Sequence, residues 1–184
     1  TSAYKQRNKI KVFELDREDM IEDKIRRVQQ AGLDYSHVNY IKCDFDDHWI
    51  DELLDSSFNV NQKTFFSCLG ISYYLDKSVF ANLIKRLSDH IPEGSSIVFD
   101  YPNNFVSEKE NINQKMASAV NEKMKSTFSF EEISEIAEVN NMFIRAHFND
   151  KDMDKIYFSK YNKTNPDHAI HCPQGVSYCL LSKK

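Results

Sequence analysis

The chain has 184 residues, 41% of them hydrophobic, and a formal net charge of −4. That length and composition suit one globular domain, residues 1–184, with a sizeable core, and argue against disorder. Charges of both signs are mixed along the sequence, so no basic stripe points to nucleic acid, and no run of about 18 apolar residues is long enough for a membrane span.

The opening stretch, TSAYKQRNKIK, carries charges but no apolar segment of the kind a signal peptide needs. Cys43, Cys68, Cys172 and Cys179 are scattered without a CxxC pair. Cys43 and Cys68 fall in apolar, strand-like runs, where buried reduced thiols are expected, and a cytoplasmic protein follows as the default. Asn162-Lys163-Thr164 matches a glycosylation acceptor that carries no weight without secretion. The four glycines, Gly32, Gly70, Gly94 and Gly175, lie too far apart to build a phosphate-cradling loop.

In chain order, residues 10–15 (IKVFEL) read as a strand and about 18–31 as a helix. Acidic Glu18 and Asp19 at its start, Arg26 and Arg27 later, and Gly32 just past its end suit the helix dipole and a left-handed cap. Residues 38–43 (VNYIKC) form a second strand ending at Asp44, followed by a short helix over 47–56. The uncharged run 64–69 (TFFSCL) reads as a strand covered on both faces. Asp76 caps a helix over 77–89, and Pro92-Glu93-Gly94 turns into a strand at 96–100. The polar stretch 103–127 reads as a loosely held helix or lid. Ser129 and Glu132 fit a capping box opening the next helix. Residues 142–148 and 175–182 read as strands, joined by a charged, prolyl surface connection.

The strand ends near 16, 44, 69 and 100 are spaced by 28, 25 and 31 residues. A parallel βαβ unit needs about 30 residues, so the repeated spacing implies an α/β fold with a doubly wound, mostly parallel sheet. Such sheets bind ligands outside the carboxyl ends of their strands, where Asp16, Asp44, Gly70 and Asp100 fall. A carboxylate there accepts both hydroxyls of a ribose in one fixed geometry; a second, one strand over, reaches an adenine amino group. The plain alternatives are an N-cap for Asp16, turn chemistry for Asp44 in CDFDDHW, and a hydrogen-bonded strand-end turn for Asp100, where the turn is the preferred reading. Two strand-end carboxylates on neighbouring units favour a nucleoside site.

VFELD before a lysine-containing helix, then NYIKCDF, TFFSCLGISYYLD and SSIVFDY, resembles the leucine carboxyl methyltransferase family over residues 10–101. The resemblance is weaker through FSFEEISEIAE and the last strand. It implies a Rossmann-like fold of the class I methyltransferase type with a C-terminal antiparallel strand pair, S-adenosyl-L-methionine as cofactor, and O-methylation of a small-molecule or peptide acceptor. Position by position it implies that Asp16 binds the ribose hydroxyls and that Asp44 and the Phe45 amide bracket the adenine. Gly70 would line the methionine side, and Tyr73 and Tyr74 the acceptor side. Two departures stand out: Leu69 replaces the glutamate the family carries before its glycine, and the first strand with its glycine-rich loop should precede FELD by about twenty residues. Here TSAYKQ resembles only the tail of that loop, which implies an N-terminally incomplete domain or abandonment of the usual cofactor grip.

Methyl transfer from a sulfonium is an in-line displacement, in which alignment alone can supply about 7–11 kcal/mol. A carboxylate acceptor needs no base and a hydroxyl does; no residue in the matching segments announces itself as that base, so no catalytic residue is assigned. Tyr73 and Tyr74 also fit ordinary packing at a turn. His168, His171 and Cys172 read as a surface loop rather than zinc ligands, His90 as a helix-end histidine, and Asp150, Asp152 and Asp154 as a solvated turn rather than a calcium loop; no metal is expected. A dinucleotide-dependent oxidoreductase and a degenerate, non-catalytic domain remain open alternatives.

Overall fold

The computed structural model describes residues 10–103 and 124–184. The lid helix expected over 103–127 therefore lies mostly outside the described residues; residues 124–127 have no regular structure. The contacts divide the chain into two compact units, Thr1–Val60 and Asn61–Lys184.

In the first unit, β1 (Val12–Asp16) pairs in parallel with β2 (Val38–Lys42), from Val12 opposite Val38 to Asp16 opposite Lys42. Parallel strands need a crossover, and α1 (Glu18–Gln30) supplies it. The helix stops where the sequence expects. The Gly32 amide donates to the Gln29 carbonyl at 3.0 Å and the Leu33 amide to Val28 at 3.1 Å, the paired bonds of a Schellman end. Gly32 sits at φ +63°, and an added Cβ would meet nothing within 4 Å, so backbone freedom is what glycine provides there.

Ions tie α1 to the ribbon: Lys24 pairs with Glu14, and Lys42 Nζ lies 2.8 Å from both Glu18 and Glu22. The short helix α2 (Trp49–Leu54) buries Trp49, Ile50 and Leu53. With Ile21 and Ile41 these residues make the unit's core.

In the second unit a four-stranded sheet runs β3 (Phe65–Cys68), β4 (Ser96–Pro102), β6 (Val176–Lys183), β5 (Met142–Phe148). β3 and β4 are parallel, while β6 lies antiparallel to both β4 and β5. The C-terminal antiparallel pair is present, and β6 inserts between β4 and β5 rather than extending the sheet. β3, β4 and β5 consequently share one carboxyl edge. β3 ends this sheet among the described residues, and one of its faces is exposed, Phe65 at 65%, which corrects the reading of this run as covered on both faces. Its apolar character on the other face serves Phe66 and Cys68, which stand opposite Ile97 and Phe99.

Helices α3 (Lys77–Asp89) and α4 (Phe130–Val139) bring Phe80, Leu83, Ile84, Leu87, Ile133 and Ala137 into the core. Phe80 has its ring 5.1 Å from both Phe99 and Phe128. The capping box at Ser129 is formed: the Ser129 amide donates to Glu132 Oε2 at 2.8 Å, and the Glu132 amide to Ser129 Oγ at 3.2 Å. Lys77 pairs with the same carboxylate and, with the Ser129 amide, holds the Glu132 carboxyl below its usual range. Asp76 occupies the N-cap position of α3 but makes no side-chain cap bond; its Oδ2 lies 3.7 Å from Lys125 Nζ.

The surface connection expected before β6 is helical instead. α5 (Asp150–Met153), a π-helical turn (Asp154–Phe158), α6 (Ser159–Thr164) and a 3-10 turn (Pro166–His168) follow β5. A capping box between Asn149 and Asp152 starts them. None of these helical pieces buries a residue, which is why hydrophobic periodicity did not reveal them.

Phe80 and Ser129 separate core from cap energetically. In chemical denaturation, Phe80→Ala should cost about 3–5 kcal/mol, and Ser129→Ala about 1 kcal/mol. Equal losses would contradict this assignment.

Candidate functional site

Parallel pairing ends β1 and β2 on one edge. The Cys43 amide donates to the Asp16 carbonyl at 2.9 Å, so Asp16 and the residues just beyond β2 are immediate neighbours. Asp16 is not the N-cap of α1: Arg17 holds that position, without a side-chain cap bond. The Asp16 Oδ1 accepts from the Arg17 amide, at 2.8 Å. Asp44 does make the turn read from CDFDDHW, with its Oδ1 accepting from the Asp46 amide at 3.0 Å and its carbonyl from the Asp47 amide at 3.0 Å.

Among the described residues, Oδ2 of both aspartates and the Phe45 amide carry no hydrogen bond. The Phe45 ring is anchored edge-on to Trp49, with centroids 5.5 Å apart. The Cys43 thiol registers both carboxylates. Burial first, then the charges of Asp16 and Asp44, push it up to about 11. Asp16, Asp44 and Phe45 are thus brought together at one strand edge of the first unit.

In the second unit, Gly70, Tyr73 and Tyr74 share the turn after β3. Gly70 has φ +73°, with nothing within 4 Å of an added Cβ, and Leu69 beside it is 54% exposed. The Gly70 amide donates to Asp100 Oδ1 at 2.7 Å. β4 runs on to Pro102, so Asp100 lies within the strand rather than in a turn at its end, which corrects the strand-end turn read for it. Sequence reasoning missed the rest. The Tyr73 hydroxyl donates to Asp100 Oδ2 at 3.2 Å, and Ser72 Oγ to the Asp100 carbonyl at 2.7 Å. These partners are far apart in sequence, and nothing in local spacing signals them.

Burial, then the Asp100 charge, moves the Tyr73 phenol well above its ordinary range. The Tyr73 and Tyr74 rings are 6.2 Å apart. Tyr178, opposite Asp100 on β6, is also pushed up, by burial and by its contact with Cys172. A cavity of about 490 Å³ lined by Lys63, Glu93, Gly94, Phe143, Arg145, Ser182 and Lys183 opens near the start of β4, away from Asp100 toward that strand's other end.

Residues first set aside as non-ligands have structural partners. His90 Nδ1 lies 2.8 Å from the Arg86 carbonyl at its helix end. Exposed His171 bonds Asp154 at 2.7 Å, and the buried Cys172 donates its amide to the same carboxylate at 2.6 Å. Asp150 accepts from the Gly175 amide at 3.2 Å. All four cysteines are free thiols, with Cys43 partly exposed and the other three buried.

A family model described as leucine carboxyl methyltransferase matches residues 1–88. The chain is 38% identical over 160 residues to the putative S-adenosyl-L-methionine-dependent methyltransferase YktD of Bacillus subtilis (strain 168), covering 83% of this chain and 52% of that protein. It therefore spans about half the length of this relative. Among solved structures, it resembles magnesium protoporphyrin IX methyltransferase (ChlM) from Synechocystis PCC 6803 with bound SAH. That match has a TM-score of 0.56 at 8% identity and covers 94% of this chain and 64% of that one. It also resembles mitomycin 7-O-methyltransferase MmcR, with a TM-score of 0.58 at 9% identity, over 94% of this chain and 41% of that one. At those identities the likeness concerns the fold, which is the class I methyltransferase fold. The segment carrying β1, α1, β2, α2, β3 and most of α3 is thus similar to the leucine carboxyl methyltransferase family.

Proposed function

We propose that this chain holds the cofactor of an S-adenosyl-L-methionine-dependent O-methyltransferase that acts, in the cytoplasm, on a carboxylate or hydroxyl of a small-molecule or peptide acceptor. The observation that carries this reading is the pair of carboxylates beside β1 and β2, Asp16 and Asp44, each with one oxygen engaged by backbone and, among the described residues, the other open. The donor set suits an adenosine. Asp16 accepts the two ribose hydroxyls in charge-assisted bonds, Asp44 accepts from the adenine amino group, and the Phe45 amide donates to a ring nitrogen.

The cofactor supplies an electrophilic methyl group on sulfur, and the protein's share is alignment and exclusion of water. For the second unit, Gly70 on the cofactor side and Tyr73 and Tyr74 on the acceptor side are proposed from the family resemblance alone. The names of YktD and MmcR support the cofactor and oxygen as the methylated atom, respectively. A carboxylate acceptor, suggested by the family's name, arrives ionised and needs no base. A strand-end acid also fits a dinucleotide's ribose, so NAD is the comparison ligand.

In calorimetry, S-adenosylhomocysteine should bind and NAD should not. Asp16→Ala or Asp44→Ala should weaken binding by roughly 10- to 100-fold, as loss of a hydrogen bond to a charged group implies. NAD binding without S-adenosylhomocysteine binding would overturn the proposal. The shared edge has its own readout. Anionic neighbours disfavour a thiolate, so Asp16→Asn and Asp44→Asn should each let Cys43 ionise at lower pH than about 11. The pH dependence of iodoacetamide alkylation at Cys43, followed by mass spectrometry, checks it; an unmoved profile in both variants would place the carboxylates away from the thiol.

A further inference from the structure

We propose that Asp100 is a positioning residue for methyl transfer, fixing the turn after β3 from the neighbouring strand by bonding the Gly70 amide and the Tyr73 hydroxyl at once. This rests on the methyltransferase reading above. The turn leaves the strand that ends this sheet among the described residues, and an unrestrained turn of this kind would sample many backbone states. Asp100 removes that freedom at two points, through Oδ1 to Gly70 at 2.7 Å and Oδ2 to Tyr73 at 3.2 Å. The Ser72 hydroxyl adds a third tie to the Asp100 carbonyl at 2.7 Å, and the Lys125 amide a fourth, to the Tyr73 carbonyl at 2.8 Å.

Leu69, exposed between β3 and this turn, has no polar group with which to do the same. The arrangement also fixes what Tyr73 can offer. A phenol has one proton, and here it goes to Asp100, so toward any ligand Tyr73 presents only an accepting oxygen. Burial and the Asp100 charge keep that proton in place far into alkali, with Tyr178 and Tyr74 the other titratable groups that act on it.

Asp100→Asn and Tyr73→Phe test this in the chain itself, with three readouts: S-adenosylhomocysteine affinity by calorimetry, the Gly70 amide proton shift by NMR, and the alkaline titration of tyrosine absorbance. Asp100→Asn should weaken binding about tenfold, the scale of one bond to a charged group. It should also move the Gly70 proton upfield and let Tyr73 ionise at lower pH. A Gly70 proton and an affinity both unchanged would overturn the proposal. If Asp100→Asn does not fold, Tyr73→Phe decides. Releasing one of the two anchors of the carboxylate should shift the Gly70 proton, and an unshifted proton overturns the proposal. Wild-type chain that binds no S-adenosylhomocysteine defeats the methyltransferase reading itself, whereas the Gly70 proton reports the tie to Asp100 independently.

Discussion

Parallel pairing of β1 with β2 is the constraint on which the candidate site depends. Two strands running the same way must finish at the same edge, and the bond from the Cys43 amide to the Asp16 carbonyl closes that edge one residue beyond the ladder. Asp16 and Asp44 then become neighbours although α1 and a loop separate them in sequence. Such a ribbon cannot be joined by a tight turn, so a crossover helix links the strands. Lys42 keeps α1 over the ribbon through Glu18 and Glu22, all three exposed, so geometry more than energy is gained there.

The two units use aspartates differently. Among the described residues, Asp16 and Asp44 each satisfy a nearby amide with one oxygen and keep the second open. Asp100 spends both oxygens internally, across strands, on Gly70 and Tyr73. Hydrogen-bonding capacity therefore separates Asp100, which is turn-holding, from the two acids beside β1 and β2. Asp150, Asp152 and Asp154 are of the turn-holding kind, tied to Gly175, to the Asn149 box, and to His171 and Cys172.

Much of this was legible in the sequence because it is local. Gly32 after a basic last turn announced the Schellman end, and Ser129 with Glu132 announced the capping box. The βαβ spacing placed Asp16, Asp44 and Gly70 at strand ends. What escaped is non-local or unpatterned. The insertion of β6 between β4 and β5 depends on pairing partners that lie far apart in sequence. The exposure of Phe65 follows from the face it shares with Ser67, opposite that of Phe66 and Cys68, which an apolar run does not reveal. Asp76 and Asp16 both looked like caps by residue type, and neither side chain caps a helix.

The central claim is that Asp16 and Asp44 meet one adenosine. Carbon-13 NMR of the aspartate side-chain carboxyls during a titration with S-adenosylhomocysteine tests it most directly. Both signals should move and saturate together at one dissociation constant. Movement of only one, or saturation at two different concentrations, would contradict the account.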